Sequence, residues 1–292
     1  MLQAPILIEP AITDLGEFSV RRLLPSSVQR SVGPFVFWDH FGPVTLPSDR
    51  DMEVRPHPHI GLATLTWLFE GEITHRDGLG YEQDISPGDV NWMTAGRGIV
   101  HSERTPTHLR GKPKPLHGLQ IWMGLPLEHE QVEPGFQHYP AQAIPRVQVG
   151  EVIFDLIAGK ALGAESPVQV YSPLFYLAAK LQPGQGFQWH RQHPEEAIYV
   201  VEGSLEIDEA FVPGHNMAVL PDRATISVKS VEGARIAIFG GEPIGERFIW
   251  WNFVASSRER IREAAAIWSA GGFDRVEGDD EFIPLPENRP MP

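Results

Sequence analysis

Three histidines and one glutamate occur in two closely spaced pairs that could bind a metal ion. His57 and His59 lie two residues apart at the head of an apolar run, and His101 and Glu103 lie two residues apart after a Gly-Arg-Gly turn. Residues i and i+2 of a β-strand project from the same side. If the two segments are neighbouring strands, three imidazoles and one carboxylate converge on one point. Such donors suit iron, zinc, copper or nickel with open coordination positions.

The alternative interpretation is that these are ordinary surface or hydrogen-bonded side chains. A single H-x-H pair is a weak signal for a metal site. A second pair of the form H-x-E, also placed beside an apolar run and preceded by Gly-x-Gly, strengthens the metal hypothesis considerably. We therefore predict a metal site from the two pairs together.

The elements that must position these side chains are predicted to be β-strands. The chain contains 28 Gly and 27 Pro, and short apolar runs recur between these residues along its whole length. Such runs, rich in Val, Ile, Phe, Tyr and Trp, are typical of half-buried or core strands. One segment, 256–270, is predicted to be a helix, with Ser256 as its cap and Glu259 completing a capping box. Its apolar face would contain Ile261, Ala265 and Trp268.

A weak internal repeat divides the chain into two β units. The motif Phe69-Glu70-Gly71 recurs as Val201-Glu202-Gly203, and each is followed by a Pro-Gly turn, at Pro87-Gly88 and Pro213-Gly214. An apolar run leads out of each turn. We predict an all-β architecture with two units, residues 1–140 and 141–292, and assign the helix and the C-terminal tail to the second.

Composition excludes several classes of protein. The chain has no cysteine, so it has no disulfide, thiolate zinc site, iron–sulfur cluster or cysteine nucleophile. The formal net charge of −14 argues against direct nucleic-acid binding, and the basic patches at Arg21-Arg22 and Arg110–Lys114 are short. Phosphate-loop and serine-hydrolase motifs are absent from the sequence. The N-terminus lacks a signal-peptide pattern and no apolar run is long enough for a membrane span, so we expect a soluble, cytoplasmic protein.

The two pairs resemble the metal-binding motifs of the cupin superfamily, which are small β-barrels. The usual cupin glutamate is replaced here by Thr64, and Glu103 supplies a carboxylate from the other strand. This exchange resembles the pirin family, over about residues 15–270. The strings that carry the resemblance are His57-Pro58-His59, Phe37-Trp38-Asp39-His40-Phe41, Asn91–Glu103, His117-Gly118-Leu119-Gln120 and Asn252-Phe253-Val254-Ala255-Ser256.

The resemblance implies a bicupin, with two β-barrels in one chain and a single metal in the first. It places the metal ligands at His57, His59, His101 and Glu103. We expect Fe(II), with Mn, Ni, Co, Cu and Zn as alternatives, and a monomer in which the two barrels act as an internal pair. One or two of Trp67, Trp92 and Trp122 could line the metal pocket, although all three are most simply core residues.

The second half keeps only part of the cupin ligand pattern. Aligned on Gly203, it places His190 and Glu196 at two ligand positions, but Gln192 and Ile226 at the other two. The residues His190, His193, Glu195 and Glu196 could form a weak site. We predict instead that this half is a scaffold without a metal.

Two functions are implied by the resemblance. The first is a metal-dependent dioxygenase that opens the heterocycle of quercetin-like flavonols with O₂ and releases carbon monoxide, with Glu103 as the base that takes the flavonol 3-hydroxyl proton. The second is a non-enzymatic, iron-dependent partner protein, a transcription co-regulator or a modulator of a metabolic enzyme. The same four ligands serve both, so the sequence leaves the choice open.

Overall fold

Residues 4–14, 18–288 and 290–291 are described by the computed structural model of this chain. Within these ranges β-strands predominate and one α-helix lies near the C-terminus, which confirms the predicted all-β class. Single 3₁₀ turns occur at Thr107–Leu109, Leu127–His129 and Ala141–Ala143. The strands and the helix are Ile6–Ile8 (β1), Ala11–Asp14 (β2), Ser19–Leu24 (β3), Phe35–Leu46 (β4), Glu53–His59 (β5), Leu62–Glu70 (β6), Ile73–Asp77 (β7), Glu82–Ile85 (β8), Val90–Thr94 (β9), Ile99–Arg104 (β10), Lys114–Gly124 (β11), Gly135–Tyr139 (β12), Arg146–Val149 (β13), Val152–Ala161 (β14), Ala164–Glu165 (β15), Leu174–Leu181 (β16), Gly186–His190 (β17), Glu195–Ile207 (β18), Ala210–Pro213 (β19), Met217–Val219 (β20), Thr225–Lys229 (β21), Ala234–Gly241 (β22), Phe248–Trp250 (β23), Phe253–Ala255 (β24) and Arg258–Ser269 (α1).

The strands group into two compact units, each assembled from separate stretches of the chain. The described residues of unit 1 are 4–13, 21–39 and 142–243, and those of unit 2 are 14, 18–20, 40–141 and 244–288 with 290–291. The change of unit after residue 141 lies next to the division predicted at residue 140. The grouping nevertheless differs from two contiguous halves, because residues 21–39 belong to unit 1 and residues 244–288, which include β24 and α1, belong to unit 2. As boundaries of separate domains, 1–140 and 141–292 stay a prediction.

Unit 1 has an interior filled by apolar side chains. Its main strands pair in the order β1-β20-β18-β22-β16-β14-β13 as far as the described residues go. Apolar residues of these strands and of β17 and β21 form one buried cluster. The cluster includes Phe154, Phe175, Phe187, Trp189, Ile198, Ile226, Ile236 and Ile238.

Unit 2 contains the sheet that carries the predicted site residues. Its strands pair in the order β5-β10-β7-β8, and a second sheet continues through β12-β9-β6-β11-β4. A small apolar cluster below these strands includes Phe41, Leu68 and Ile73. A second cluster joins Ile60 and Phe253 to the buried face of α1. The first cluster contains Val54 of β5 as a partly buried neighbour, and the second contains Ile60, which directly follows β5, so apolar packing adjoins the strand that carries His57 and His59.

The internal repeat is confirmed as a repeat of strand pairing. In unit 2, β6 lies between β9 and β11, and in unit 1 β18 lies between β20 and β22 in the same antiparallel manner. Gly71 and Gly203 end the repeated motif with φ values of +86° and +76°. A Cβ at Gly71 would lie 2.2 Å from the carbonyl oxygen of Pro115, and one at Gly203 would lie 2.0 Å from that of Gly233. Glycine is therefore required at both positions by the same close approach of a neighbouring strand.

The predicted helix is confirmed, but its predicted cap is wrong by one residue. Ser257 is the N-cap, and its hydroxyl accepts a hydrogen bond from the Arg260 amide. Ser256 instead donates through its hydroxyl to the buried carboxylate of Glu130, at 2.8 Å, so it is not available to cap the helix. Glu259 therefore does not complete a capping box. The buried face does contain Ile261 and Ala265 as predicted. In the described ranges there is no helix of the length and apolarity needed to cross a bilayer.

The close approach at Gly203 makes a stability prediction possible with a matched control. We expect Gly203→Ala to cost at least about 3 kcal/mol, because the new Cβ overlaps the Gly233 carbonyl in addition to the strain of a positive φ. Gly184 has a φ of +79°, and a Cβ added there would meet nothing within 4 Å. Gly184→Ala should therefore cost only about 1 kcal/mol. Thermal unfolding midpoints of the two variants measure the difference, and equal midpoints would contradict the steric argument.

Candidate metal centre

The two histidine pairs lie on adjacent antiparallel strands, as predicted. In the β5–β10 ladder, His101 lies directly opposite His57, and Ile99 lies opposite His59. A register shift follows between His101 and Glu103, so that Glu103 pairs with Val54. The register shift therefore falls between the two predicted ligands of β10.

The three imidazoles converge. One ring nitrogen of each of His57, His59 and His101 lies within 4.8 Å of the corresponding nitrogens of the other two. The ring centroids are 4.4 Å apart for His57 and His101, and 5.0 Å apart for each of the other two pairs. All three side chains are buried. Three nitrogens at these distances can ligate one ion placed between them.

The hydrogen bonds of the rings show which nitrogens are available. The Nδ1 atom of His57 lies 2.9 Å from the Arg55 carbonyl oxygen, and that of His59 lies 3.0 Å from the Asn252 carbonyl oxygen. A carbonyl accepts only from N–H, so both rings carry their proton on Nδ1 and present the lone pair of Nε2. The Nε2 atom of His101 is buried and has no hydrogen-bond partner within the described part of the chain. The donor set therefore fits a metal ion.

The protonation of the triad is consistent with metal binding. Burial lowers the pKa of His57 to about 4, partly opposed by the hydrogen bond to Arg55. Burial also lowers the pKa of His59 and of His101 well below the usual value, and the neighbouring imidazoles add to both shifts. Neutral imidazole is the form that ligates metals. At neutral pH the triad is thus ready to bind without first losing protons.

Glu103, predicted as the fourth ligand and as a base, has a buried carboxylate beside the triad. Its Oε1 lies 3.3 Å from the hydroxyl of Thr66, which also lies 2.8 Å from Oε1 of Gln120. Burial raises the pKa of Glu103 to about 7, and the bond from Thr66 opposes the shift. Its carboxylate oxygens are not among the atoms that lie within 4.8 Å of one another. The structure thus groups three of the four predicted ligands, and the role of Glu103 stays a prediction.

Aromatic side chains form part of the wall around the triad. Trp122 lies edge-on to His59, with ring centroids 5.1 Å apart, and is almost fully buried. Trp67 and Trp92 are also buried, but within the described residues the ring that packs against the triad is that of Trp122. Of the three tryptophans named from the sequence, Trp122 is therefore the one placed to contact a ligand at the site.

Two further polar residues adjoin the triad and were missed from the sequence. Nδ1 of His75 on β7 lies 3.4 Å from Nδ1 of His101, and Nε2 of His75 lies 2.9 Å from Oδ2 of Asp77. His75 and Asp77 are both buried. Their spacing of two residues on a strand, H-x-D, repeats the pattern of the other two pairs, and it was the signal that could have identified them.

The equivalent region of unit 1 is arranged differently. The carboxylate of Glu196 is buried and accepts hydrogen bonds from Trp189 Nε1, Gln192 N and His193 N, at 2.6–2.7 Å. Ile226 lies in the apolar core. His190 is exposed and bonds Thr225. Within the described residues of this unit no group of three potential ligands is brought together. The scaffold role of the second half stays a prediction.

Comparison with known proteins identifies the family. Residues 17–123 match the Pirin family and residues 176–274 match the Pirin C-terminal cupin domain. A pirin-like protein of Caulobacter vibrioides is 48% identical over 94% of this chain and 96% of its own length. Human pirin is 32% identical over 88% of this chain and 89% of its own. A structure titled quercetin 2,3-dioxygenase from Acinetobacter baumannii superposes with a TM-score of 0.89 and 32% identity, covering 97% of this chain and 95% of that one. The chain therefore belongs to the pirin family and has its two-cupin fold.

Proposed function

We propose that this protein is an iron-dependent dioxygenase that cleaves quercetin-like flavonols with O₂. The observation that carries the proposal is the buried triad of His57, His59 and His101, whose ligand nitrogens lie within 4.8 Å of one another. The similarity to the Acinetobacter quercetin 2,3-dioxygenase over nearly the whole chain supports the choice of substrate. Nitrogen and oxygen donors of this kind suit Fe(II), although they also bind other first-row metals.

The three histidines would hold the ion through Nε2, and Glu103 would add one carboxylate oxygen. When bound, the ion supplies positive charge that stabilises the oxyanion of the flavonol 3-hydroxyl and so lowers its pKa. Glu103 accepts the proton from that hydroxyl, and the hydroxyl of Thr66 holds its Oε1. The flavonolate is then oxidised by O₂, and the heterocycle opens with release of carbon monoxide.

The protein environment favours this chemistry by excluding water. The triad and Glu103 are buried, so charges that form there are weakly screened. Trp122, packed edge-on against His59, offers an apolar surface that suits the flat ring system of a flavonol. A flavonol carries both the acidic hydroxyl and the aromatic rings that this combination would recognise.

Oxygen consumption provides the direct test. We expect iron-loaded protein to consume O₂ and release an equal amount of carbon monoxide when quercetin is added, and a chelator to abolish both. The flavone luteolin, which has the same rings but no 3-hydroxyl, should cause no uptake because it offers no proton to Glu103. An oxygen electrode and a carbon monoxide assay measure the two gases.

The opposite outcome would favour the non-enzymatic alternative. If iron-loaded protein consumes no O₂ with quercetin or other flavonols, the dioxygenase proposal fails. A metal-dependent partner protein would then account better for the same triad, since a structural or redox-sensing ion needs the same donors.

A further inference from the structure

The three imidazoles of the triad differ in the partners of their Nδ1 atoms. His57 and His59 bond neutral backbone carbonyls, of Arg55 and Asn252. The Nδ1 atom of His101 instead lies 3.4 Å from the Nδ1 atom of another imidazole, His75. A carbonyl can only accept a hydrogen bond, whereas an imidazole nitrogen can accept or donate. The tautomer of His101 therefore depends on that of His75.

The tautomer of His75 is determined by Asp77. The Asp77 Oδ2 atom lies 2.9 Å from Nε2 of His75, and its Oδ1 atom accepts hydrogen bonds from the amides of Leu79 and Tyr81. The two oxygens of Asp77 therefore face the ring of His75 and two amide N–H groups, at a position that is 1% exposed. A carboxylate oxygen is an acceptor, so Nε2 of His75 is the donor in this hydrogen bond and carries a proton.

The consequence passes along the chain of hydrogen bonds to the metal site. With its proton on Nε2, the ring of His75 presents a lone pair at Nδ1, which accepts from Nδ1–H of His101. That tautomer of His101 has its own lone pair on Nε2, which is the buried atom that lacks a hydrogen-bond partner within the described residues. In this series His101 donates to His75 and His75 donates to Asp77, so both hydrogen bonds run in the same direction.

The surrounding structure holds the series in place. Adjacent strands β7 and β10 set His101 opposite Asp77, and Glu103 opposite His75. The ring of Phe136 stacks on that of His75 with centroids 4.3 Å apart and planes 11° apart. His75 can therefore neither rotate freely nor exchange its partner for water.

We propose that Asp77 and His75 are positioning residues. They fix the metal-binding tautomer of His101 and make its Nε2 the most strongly coordinating nitrogen of the triad. The proposal rests on the proposed metal site at His57, His59 and His101. Partial transfer of negative charge from a carboxylate through an imidazole increases the basicity of the ligand that it contacts, and such partners contribute about 10–100-fold in metal affinity. The backbone carbonyls at His57 and His59 are neutral and give less of this effect.

The variant Asp77→Asn tests this series of hydrogen bonds, called the relay below, with little change in the shape of the side chain. The asparagine keeps an oxygen for the amides of Leu79 and Tyr81, but offers N–H instead of an acceptor to His75. We expect His75 to move its proton to Nδ1, which forces His101 to accept at Nδ1 and to carry its proton on Nε2. Nitrogen-15 NMR of imidazoles in the metal-free protein at one neutral pH reports these tautomers directly.

Metal affinity gives the second readout, with Zn²⁺ as a diamagnetic probe competed against a chromophoric chelator. We expect Asp77→Asn to weaken Zn²⁺ binding by about 10–100-fold. Asp84→Asn removes a carboxylate from the neighbouring strand β8, where Asp84 bonds Thr74, and should leave the affinity unchanged. His75→Phe should weaken binding, and His75→Gln, whose amide oxygen can accept from His101, should restore most of it.

The outcomes separate the relay from the metal site. If Asp77→Asn leaves both imidazole tautomers and the Zn²⁺ affinity as in the parent, the relay is wrong while the triad stands. If His75→Gln and His75→Phe bind Zn²⁺ equally weakly, the role of His75 is packing rather than hydrogen bonding, which also contradicts the proposal. If the tautomers change as expected but the parent binds no Zn²⁺, the proposed metal site itself fails.

Discussion

The double variant His57→Ala/His101→Ala should retain no metal, whereas the parent should bind one equivalent per chain. Two of the three converging nitrogens are lost, and the remaining imidazole of His59 with the carboxylate of Glu103 offers too few ligands for a first-row metal at micromolar concentration. Elemental analysis after extensive dialysis, normalised to protein, measures the stoichiometry. Circular dichroism of the variant confirms that the β structure is kept.

The matched control lies in the other unit. We expect His190→Ala/His193→Ala to retain one equivalent of metal, because His190 is exposed and the buried carboxylate of Glu196 is already occupied by three N–H donors. A parent with two equivalents of metal, of which the control loses one, would overturn the assignment of unit 1 as a scaffold. Metal retained by the His57→Ala/His101→Ala variant would overturn the triad.

The sequence was sufficient to predict the triad because the signal is local. Residues two apart on a strand share a side, and the motif resemblance placed the two strands together, so His57, His59 and His101 could be expected to converge. The structure adds the register of the two strands, in which His101 lies opposite His57. The same reasoning predicted the repeated strand pairing, since each half carries the same turn and glycine signals.

Features that depend on contacts between residues far apart in the chain could not be predicted from local sequence patterns. The Asn252 carbonyl that fixes the tautomer of His59 is 193 residues away, and the glutamate that engages Ser256 is 126 residues away. The latter contact displaced the helix cap from Ser256 to Ser257, which local preference alone could not distinguish. The assignment of α1 to unit 2 is likewise a consequence of tertiary packing rather than of sequence order.

His75 and Asp77 were missed from the sequence for a different reason. Their H-x-D spacing is local and visible, but the pair lies on a third strand, β7, whose place beside β10 is set only by the sheet. Without the strand order, the pair is indistinguishable from ordinary surface residues. Its burial and its contact with His101 identify it as part of the site.

Glu103→Gln should lower kcat for quercetin by about 10²–10⁴ when rates are compared per bound metal. The amide keeps the shape of the side chain and one oxygen that can accept from Thr66, so the change isolates the loss of charge and of basicity. With Glu103 as the proposed fourth ligand, loss of its negative charge should also weaken metal binding, because the three histidines are neutral imidazoles. Saturating iron and elemental analysis of each sample separate occupancy from turnover.

The control for a plain loss of one ligand is His59→Ala. This variant also weakens metal binding, but it leaves the Glu103 carboxylate and its contact with Thr66 in place. Per bound metal, we therefore expect it to turn over quercetin far faster than Glu103→Gln. Equal rates per metal for Glu103→Gln and the parent would show that the proton is accepted elsewhere, and equal defects in the two variants would reduce Glu103 to a ligand. A large defect confined to Glu103→Gln is the result that a base at this position requires, because only that variant removes the proton acceptor.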